Sequence, residues 1–567
     1  MTRRFLAAVM VFALLGLPLQ GFPAVAGPAP QNADFSSAEM LYRSGKFAEA
    51  AAKFQAMVKA DPKLVLAQVG LVHSLLREEK IDEAQAAAMR ALTLQPNAAP
   101  LATAMGDVQF RLGEMPEAER SYLKALNLNP KDPGPYIALA RVYRAYSHYR
   151  RAFDELERAH RIAPDSPAMQ RMWLATLPPR ERIAAIEAYL ASGRSEDPEE
   201  TALLRRDLDF LKAMVDKPAY PCRLVSKVKQ TNTKLLVLPS ATSHLGATGL
   251  EVKLNGHSNR LALDTGTSGI LVRSATAEKA GLTRIGGEQR IGGLGDKGGQ
   301  SGYVAVAAHI RVGDLEFEDC LVRVVDAPGP SEIDGLIGSD VFGAYLIDID
   351  IPGQKLRLSP LPKRPDEAAA PTALNSAGET RGAPEDNVEN GGEEQPSPNQ
   401  AKPANLAANP HLPKDAYVAP EMARWTKVFR FGHMLLIPTR VDGFGPMLFM
   451  IDTGSFTNIL STRAAREVTK VRADSRTQVK GLSGKVANVY RADKATLEFG
   501  HYSQENQDIV TLDLSAISQS TGTEISGILG FEMLRILQVK IDYRDGLVDF
   551  LYDPKHLPKG IGLRQKK

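Results

Sequence analysis

The chain has 567 residues, 44% of them hydrophobic, with 69 Lys and Arg against 66 Asp and Glu for a formal net charge of +3. That length exceeds what one core sustains and predicts roughly three to four domains. The near balance of charge, without a Lys/Arg block interleaved with aromatics, argues against nucleic-acid binding. The only cysteines, Cys222 and Cys320, have no neighbouring His pairs to complete a tetrahedral zinc site, so no metal or other cofactor is expected.

In chain order, residues 1–26 have the three parts of a secretory signal peptide: Arg3 and Arg4, an apolar stretch from Phe5 to about Leu19, and small residues up to Ala26. The apolar stretch is short for a membrane span of about 20 residues. The expectation is export, to a bacterial periplasm or the medium, with no stable membrane insertion after cleavage. In an oxidising compartment Cys222 and Cys320 can pair as a disulfide or remain two buried thiols; the sequence leaves both open.

Residues 34–170 repeat with a period of 34: Pro62, Pro96, Pro130 and Pro164 keep that spacing, as do Ala50, Ala84, Ala118 and Ala152. A small residue suits a close helix crossing, and a proline after the second helix stops it. This spacing resembles the tetratricopeptide repeat, which implies four stacked helix hairpins and a surface for a protein partner. Residues 171–217 predict additional helices capping the solenoid.

Beyond them, short runs rich in β-branched residues and glycine predict strands and hairpins. Two segments, 240–360 and 425–557, carry the same features in the same order. LEVKLNGHSNRLALDTG and MLLIPTRVDGFGPMLFMIDTG each give a strand, a two-residue turn and a second strand ending at an Asp, Asp264 or Asp452. A glycine-rich hairpin follows, with Gly292, Gly293 and Gly295 in one copy and Gly481 and Gly484 in the other. An apolar-apolar-Gly step then ends at Gly338 or Gly530, before a closing hairpin. The chain therefore reads as an internal duplication. Residues 361–420 between the copies are rich in Pro, Ala, Asn and Glu and predict a disordered linker.

Asp-Thr-Gly-(Thr/Ser), a glycine-rich flap and a later apolar-apolar-Gly resemble the retropepsin-type aspartic proteases, and two copies in one chain resemble the pepsin arrangement. The resemblance implies two all-β barrel lobes behind the all-α solenoid, with Asp264 and Asp452 sharing one proton as a catalytic dyad. By the same resemblance Thr265 and Thr453 cross-link the Asp loops, Gly266 and Gly454 allow close backbone approach, and Thr267 and Ser455 bond the outer carboxylate oxygens. The flap glycines would cover an extended protein or peptide substrate, although neither hairpin has the tyrosine typical of the pepsin flap.

The resulting expectation is an exported aspartic endopeptidase whose helical repeat recruits substrates or partners. Two rivals stand beside it: a non-catalytic protein that binds peptides between its β modules, and modules that mainly dimerise the chain. The linker is long enough for the two Asp to meet within one chain, but pairing between chains is also open, as is the oligomeric state. His309, His433 and His501 read as structural or surface residues, and Asp350 and Asp542 as turn or edge residues of the closing hairpins.

Overall fold

The computed structural model describes residues 33–164, 166–192, 198–215, 222–240, 243–292, 300–326, 333–365, 414–481, 484–553 and 562–565. The expected leader, most of the linker, and flap residues Gly293 and Gly295 lie outside them.

The helical part begins with four hairpins: Ala33–Arg43 with Phe47–Ala60, Val65–Arg77 with Ile81–Leu94, Ala99–Leu112 with Met115–Leu128, and Pro133–Ala145 with Tyr149–Ile162. The spaced alanines Ala50, Ala84, Ala118 and Ala152 are all buried. Space is tight at these crossings: a Cβ on Gly106 would lie 2.4 Å from the Tyr122 ring. Asp132 caps the seventh helix by accepting the Gly134 N–H, and Gly113 ends the fifth with φ +82°. Three more helices follow, Pro167–Leu174, Pro179–Ala191 and Pro198–Met214. Among the described residues, no helix is long and apolar enough to cross a membrane.

The two β lobes share one topology. In lobe 1 the strand His257–Leu263 lies parallel to Gly335–Ile337, which pairs antiparallel with Ile270–Arg273. In lobe 2 Phe444–Ile451, Gly527–Leu529 and Ile459–Ser461 repeat that arrangement. The turns expected before each Asp strand are present, with positive φ at Asn255 and Gly256 and at Asp442 and Gly443. The closing hairpins meet in a sheet of six strands, in which Tyr345–Asp350 of lobe 1 pairs with Leu537–Asp542 of lobe 2. A single core runs through both lobes, from Leu263, Ile337 and Phe342 to Leu435, Ile451 and Leu529.

Both ends of the linker return to one carboxylate. Asp545 accepts from Arg364 Nη2 at 2.5 Å and from the Tyr417 N–H at 3.0 Å. Ordering the linker is therefore unnecessary for holding the lobes together. Cys222 and Cys320 form a disulfide, tying the segment before lobe 1 to the strand Leu315–Val325.

The solenoid rests on the lobes. Phe110, Ile137 and Leu139 share a hydrophobic cluster with Met434, Leu436, Leu448, Met450 and Ile528 of lobe 2. At the seam, Thr523 Oγ1 donates to the Phe110 carbonyl at 2.7 Å, and the Glu524 N–H donates to the Arg111 carbonyl at 2.7 Å. Arg111, only 1% exposed, pairs with Glu79 of the second hairpin and with Glu524. The helix Pro198–Met214 reaches lobe 1, where Met214 packs on Ile285 and Val304.

Candidate active site

Each Asp ends a strand and enters a loop held by the neighbouring apolar-apolar-Gly step. The Asp264 N–H donates to the Ile337 carbonyl, and the Asp452 N–H to the Leu529 carbonyl, both at 3.0 Å. The strand ends are thus fixed by contacts within their own lobes.

The two loops interlock through their threonines. Thr265 Oγ1 donates to the Ile451 carbonyl and Thr453 Oγ1 to the Leu263 carbonyl, each at 2.8 Å. Each hydroxyl also accepts the other threonine's N–H, at 3.1 Å from Thr265 and 3.0 Å from Thr453. Four hydrogen bonds between buried groups have little freedom to rearrange, so the carboxylates are held in a fixed relation.

Asp264 and Asp452 consequently face each other within one chain. A Cβ on Gly266 would lie 2.7 Å from Asp452 Oδ1, and one on Gly454 would lie 2.5 Å from Asp264 Cγ. The glycines of the motif are needed because the opposite carboxylate fills the space of a side chain. Each glycine N–H also donates to the Asp of its own loop, at 2.8 Å in both cases. Gly338 and Gly530 follow the same logic, since a Cβ would meet the Thr267 carbonyl at 2.2 Å or the Thr457 carbonyl at 2.1 Å.

The two halves are not equivalent. Thr267 Oγ1 donates to Asp264 Oδ2 at 2.7 Å, as the family resemblance implies. The expectation for Ser455 is corrected: its hydroxyl donates to the Thr457 carbonyl at 3.2 Å, and only its backbone N–H supports Asp452. Burial, followed by the neighbouring charge of Asp264, pushes the Asp452 carboxyl well above the usual carboxylate range. The site therefore favours a proton on Asp452, while Asp264 accepts from the Gly266 N–H and the Thr267 hydroxyl.

The flap stem of lobe 1 is the hairpin of Thr283–Ile291 and Gln300–Val312, with Gly292 just past its first strand. In lobe 2, Gly481 pairs with Gly484 in a short hairpin. Among the described residues no group of three or more His, Cys, Asp and Glu could hold a metal ion.

His433, read from the sequence as structural or surface, makes a structural contact. It is half-buried, and Nε2 lies 3.0 Å from the Gly266 carbonyl, which requires the proton on that nitrogen. A histidine of lobe 2 thus touches the Asp loop of lobe 1. The only sequence signal was its place in the FRFGHM turn, three residues after Arg430. His309 is exposed and lies 3.9 Å from Glu318, and His501 Nε2 bonds the Arg424 carbonyl. Asp350 and Asp542 do shape the closing turns, accepting from the N–H of Gly353 and Asp545.

Comparison with known proteins agrees with this geometry. The aspartyl protease family model matches residues 250–341 and 437–533, one stretch in each lobe, and the tetratricopeptide repeat model matches 99–132. The chain is thus a tetratricopeptide-type helical array followed by two aspartyl-protease-type modules. Among solved structures, the first TPR of Spaghetti bound to the HSP90 peptide SRMEEVD is 20% identical, covering 19% of this chain and 86% of that one with a TM-score of 0.18. A thermophilic TPR protein in Thermus thermophilus is 16% identical, covering 30% of this chain and 94% of that one with a TM-score of 0.26. No curated protein matches the chain.

Proposed function

We propose that the chain is an aspartic endopeptidase. The reading rests on one observation: the interlocked Asp loops set Asp264 against Asp452, with the proton favoured on Asp452. A water between the carboxyls would lose a proton to Asp264 as its oxygen attacks the peptide carbonyl carbon. Asp452 would donate its proton to the carbonyl oxygen, giving a neutral gem-diol. Transfer of the proton from Asp264 to the amide nitrogen, and return of a hydroxyl proton to Asp452, breaks the C–N bond. The product amine and acid leave with the dyad in its starting state.

We further propose export, supported by the leader-like N-terminus and by the bond between Cys222 and Cys320, which suits an oxidising compartment. In this reading the helical array recruits protein substrates or partners through surface that lobe 2 does not already cover. The test is cleavage of a peptide library from about pH 3 to pH 8, beside titration with a statine peptide, which mimics the gem-diol. Cleavage that stops on stoichiometric statine binding is expected. Peptide binding without cleavage at any pH would instead make the lobes a binding module.

A further inference from the structure

The short hairpin that contains His433 touches three parts of the molecule within six residues. Its strand Phe429–Phe431 pairs with the start of Met434–Val441. On the solenoid side, the Phe429 ring packs against Tyr146 with centroids 5.4 Å apart, and the Phe431 ring against Phe110 at 6.2 Å. Between them, Arg430 bonds the Tyr543 carbonyl and lies over the Tyr543 ring at 5.4 Å. The Tyr543 hydroxyl in turn meets Ser339 Oγ of lobe 1 at 2.7 Å, beside the Gly338 step. Two residues past Phe431, His433 reaches the Gly266 carbonyl.

We propose that His433 is a positioning residue for the Asp264 loop, and that the solenoid sets its place through Phe429 and Phe431. This rests on the aspartic protease reading and gives the helical array a second task, fixing the dyad. A hairpin clamped by two aromatic contacts on one side has little freedom to withdraw the histidine on the other. Gly266 is the residue whose N–H supports Asp264, so a shift of its peptide plane moves that donor. In lobe 1 the position matching Tyr543 is Ile351, which has no hydroxyl, so the Tyr543–Ser339 bond has no mirror image there.

The test is hydrogen exchange of the full-length chain, read at the amides of Asp264 to Thr267, with thermal melting as a check on global stability. His433→Leu removes the donor and is expected to speed exchange there by about fivefold, the scale of one net hydrogen bond. His433→Gln keeps an N–H of similar reach and is expected to restore the wild-type rate. The double variant Phe429→Leu/Phe431→Leu is expected to speed the same amides, although it leaves His433 in place. Unchanged exchange in His433→Leu, or equal exchange in the Leu and Gln variants, overturns the positioning role. An effect of the phenylalanine variant that stops at the hairpin overturns the link to the solenoid. Exchange is read without turnover, so a chain that cleaves nothing would refute the protease reading separately from this one.

Discussion

In lobe 2, the sheet face turned toward the solenoid carries Leu436, Leu448, Met450, Ile459, Val510 and Ile528, all buried. Strand register puts Gly249, Arg260, Ala262, Leu271, Arg323 and Leu336 at the same places in lobe 1. Both sheets turn their other face into the shared core, so the difference arises from the neighbour on the outer side. Lobe 2 is covered by the solenoid hairpins and is apolar on two faces; the matching face of lobe 1, which the helix Pro198–Met214 reaches at Val304, has room for two arginines. One topology thus provides a half-site in each lobe, while the broad apolar docking face belongs to lobe 2.

The largest effect should be one in which the lobes behave alike. Asp264→Asn and Asp452→Asn are each expected to lower kcat/KM by about a thousandfold or more, because neither carboxyl alone can both accept and donate a proton. Mixing the two variants should restore nothing if each site is built within one chain, as the geometry places it. Substantial recovery on mixing would mean that lobes exchange between chains.

A second test breaks the symmetry. Leu448→Arg puts a charge into the apolar seam and is expected to cost about 4 kcal/mol in equilibrium unfolding. The converse change at the matching exposed position, Arg260→Leu, should stay within about 0.5 kcal/mol. Equal losses would show that the face of lobe 1 around Arg260 is covered as well.

This contrast also explains what the sequence made legible. The repeat was readable because a period of 34 fixes helix pairs locally, and the dyad because each motif lies in one short run. The Asp-Thr-Gly glycines and the turns at Asn255 and Asp442 follow from local backbone demands. The docking of solenoid on lobe 2 depends on contacts such as Phe110 with Thr523, far apart in the chain. A trace of it was present in MLFMI before Asp452, continuously apolar as a strand buried on both faces should be, against RLAL before Asp264. The contact of His433 was not legible in this way, since it depends on where the Asp264 loop arrives, and the hydroxyl of Ser455 turns to the Thr457 carbonyl of its own loop, a choice its motif does not record.

The closing hairpins give a third comparison. Burial, then the charge of Asp545, pushes the Asp542 carboxyl up to about 6. The folded state therefore holds that proton more tightly than the unfolded chain, whose carboxyl titrates near about 4. Ionising Asp542 costs stability, a cost that is absent below about pH 4 and complete above about pH 6. Asp542→Asn removes it, so the variant's unfolding free energy relative to wild type should rise by roughly 2 kcal/mol from pH 4 to pH 7. Asp350→Asn, at the matching position, removes a partner of Arg357 and should bring no such gain at pH 7.

The smallest expected effect reads the asymmetry of the dyad itself. Thr267 donates to Asp264 Oδ2 at 2.7 Å, whereas Ser455 donates to the Thr457 carbonyl. If the charge resides on Asp264, Thr267→Ala takes one donor from an ionised carboxylate. A hydrogen bond to a charged group contributes about 1.5 kcal/mol or more, so kcat/KM should fall by roughly tenfold. Thr267→Ser should keep most of the activity, because the hydroxyl remains. Ser455→Ala should stay within about twofold, because its side chain contributes no bond to Asp452. Equal losses at the two positions would mean that the Ser455 hydroxyl turns toward Asp452 during turnover, and the charge would then be shared more evenly than the resting geometry implies.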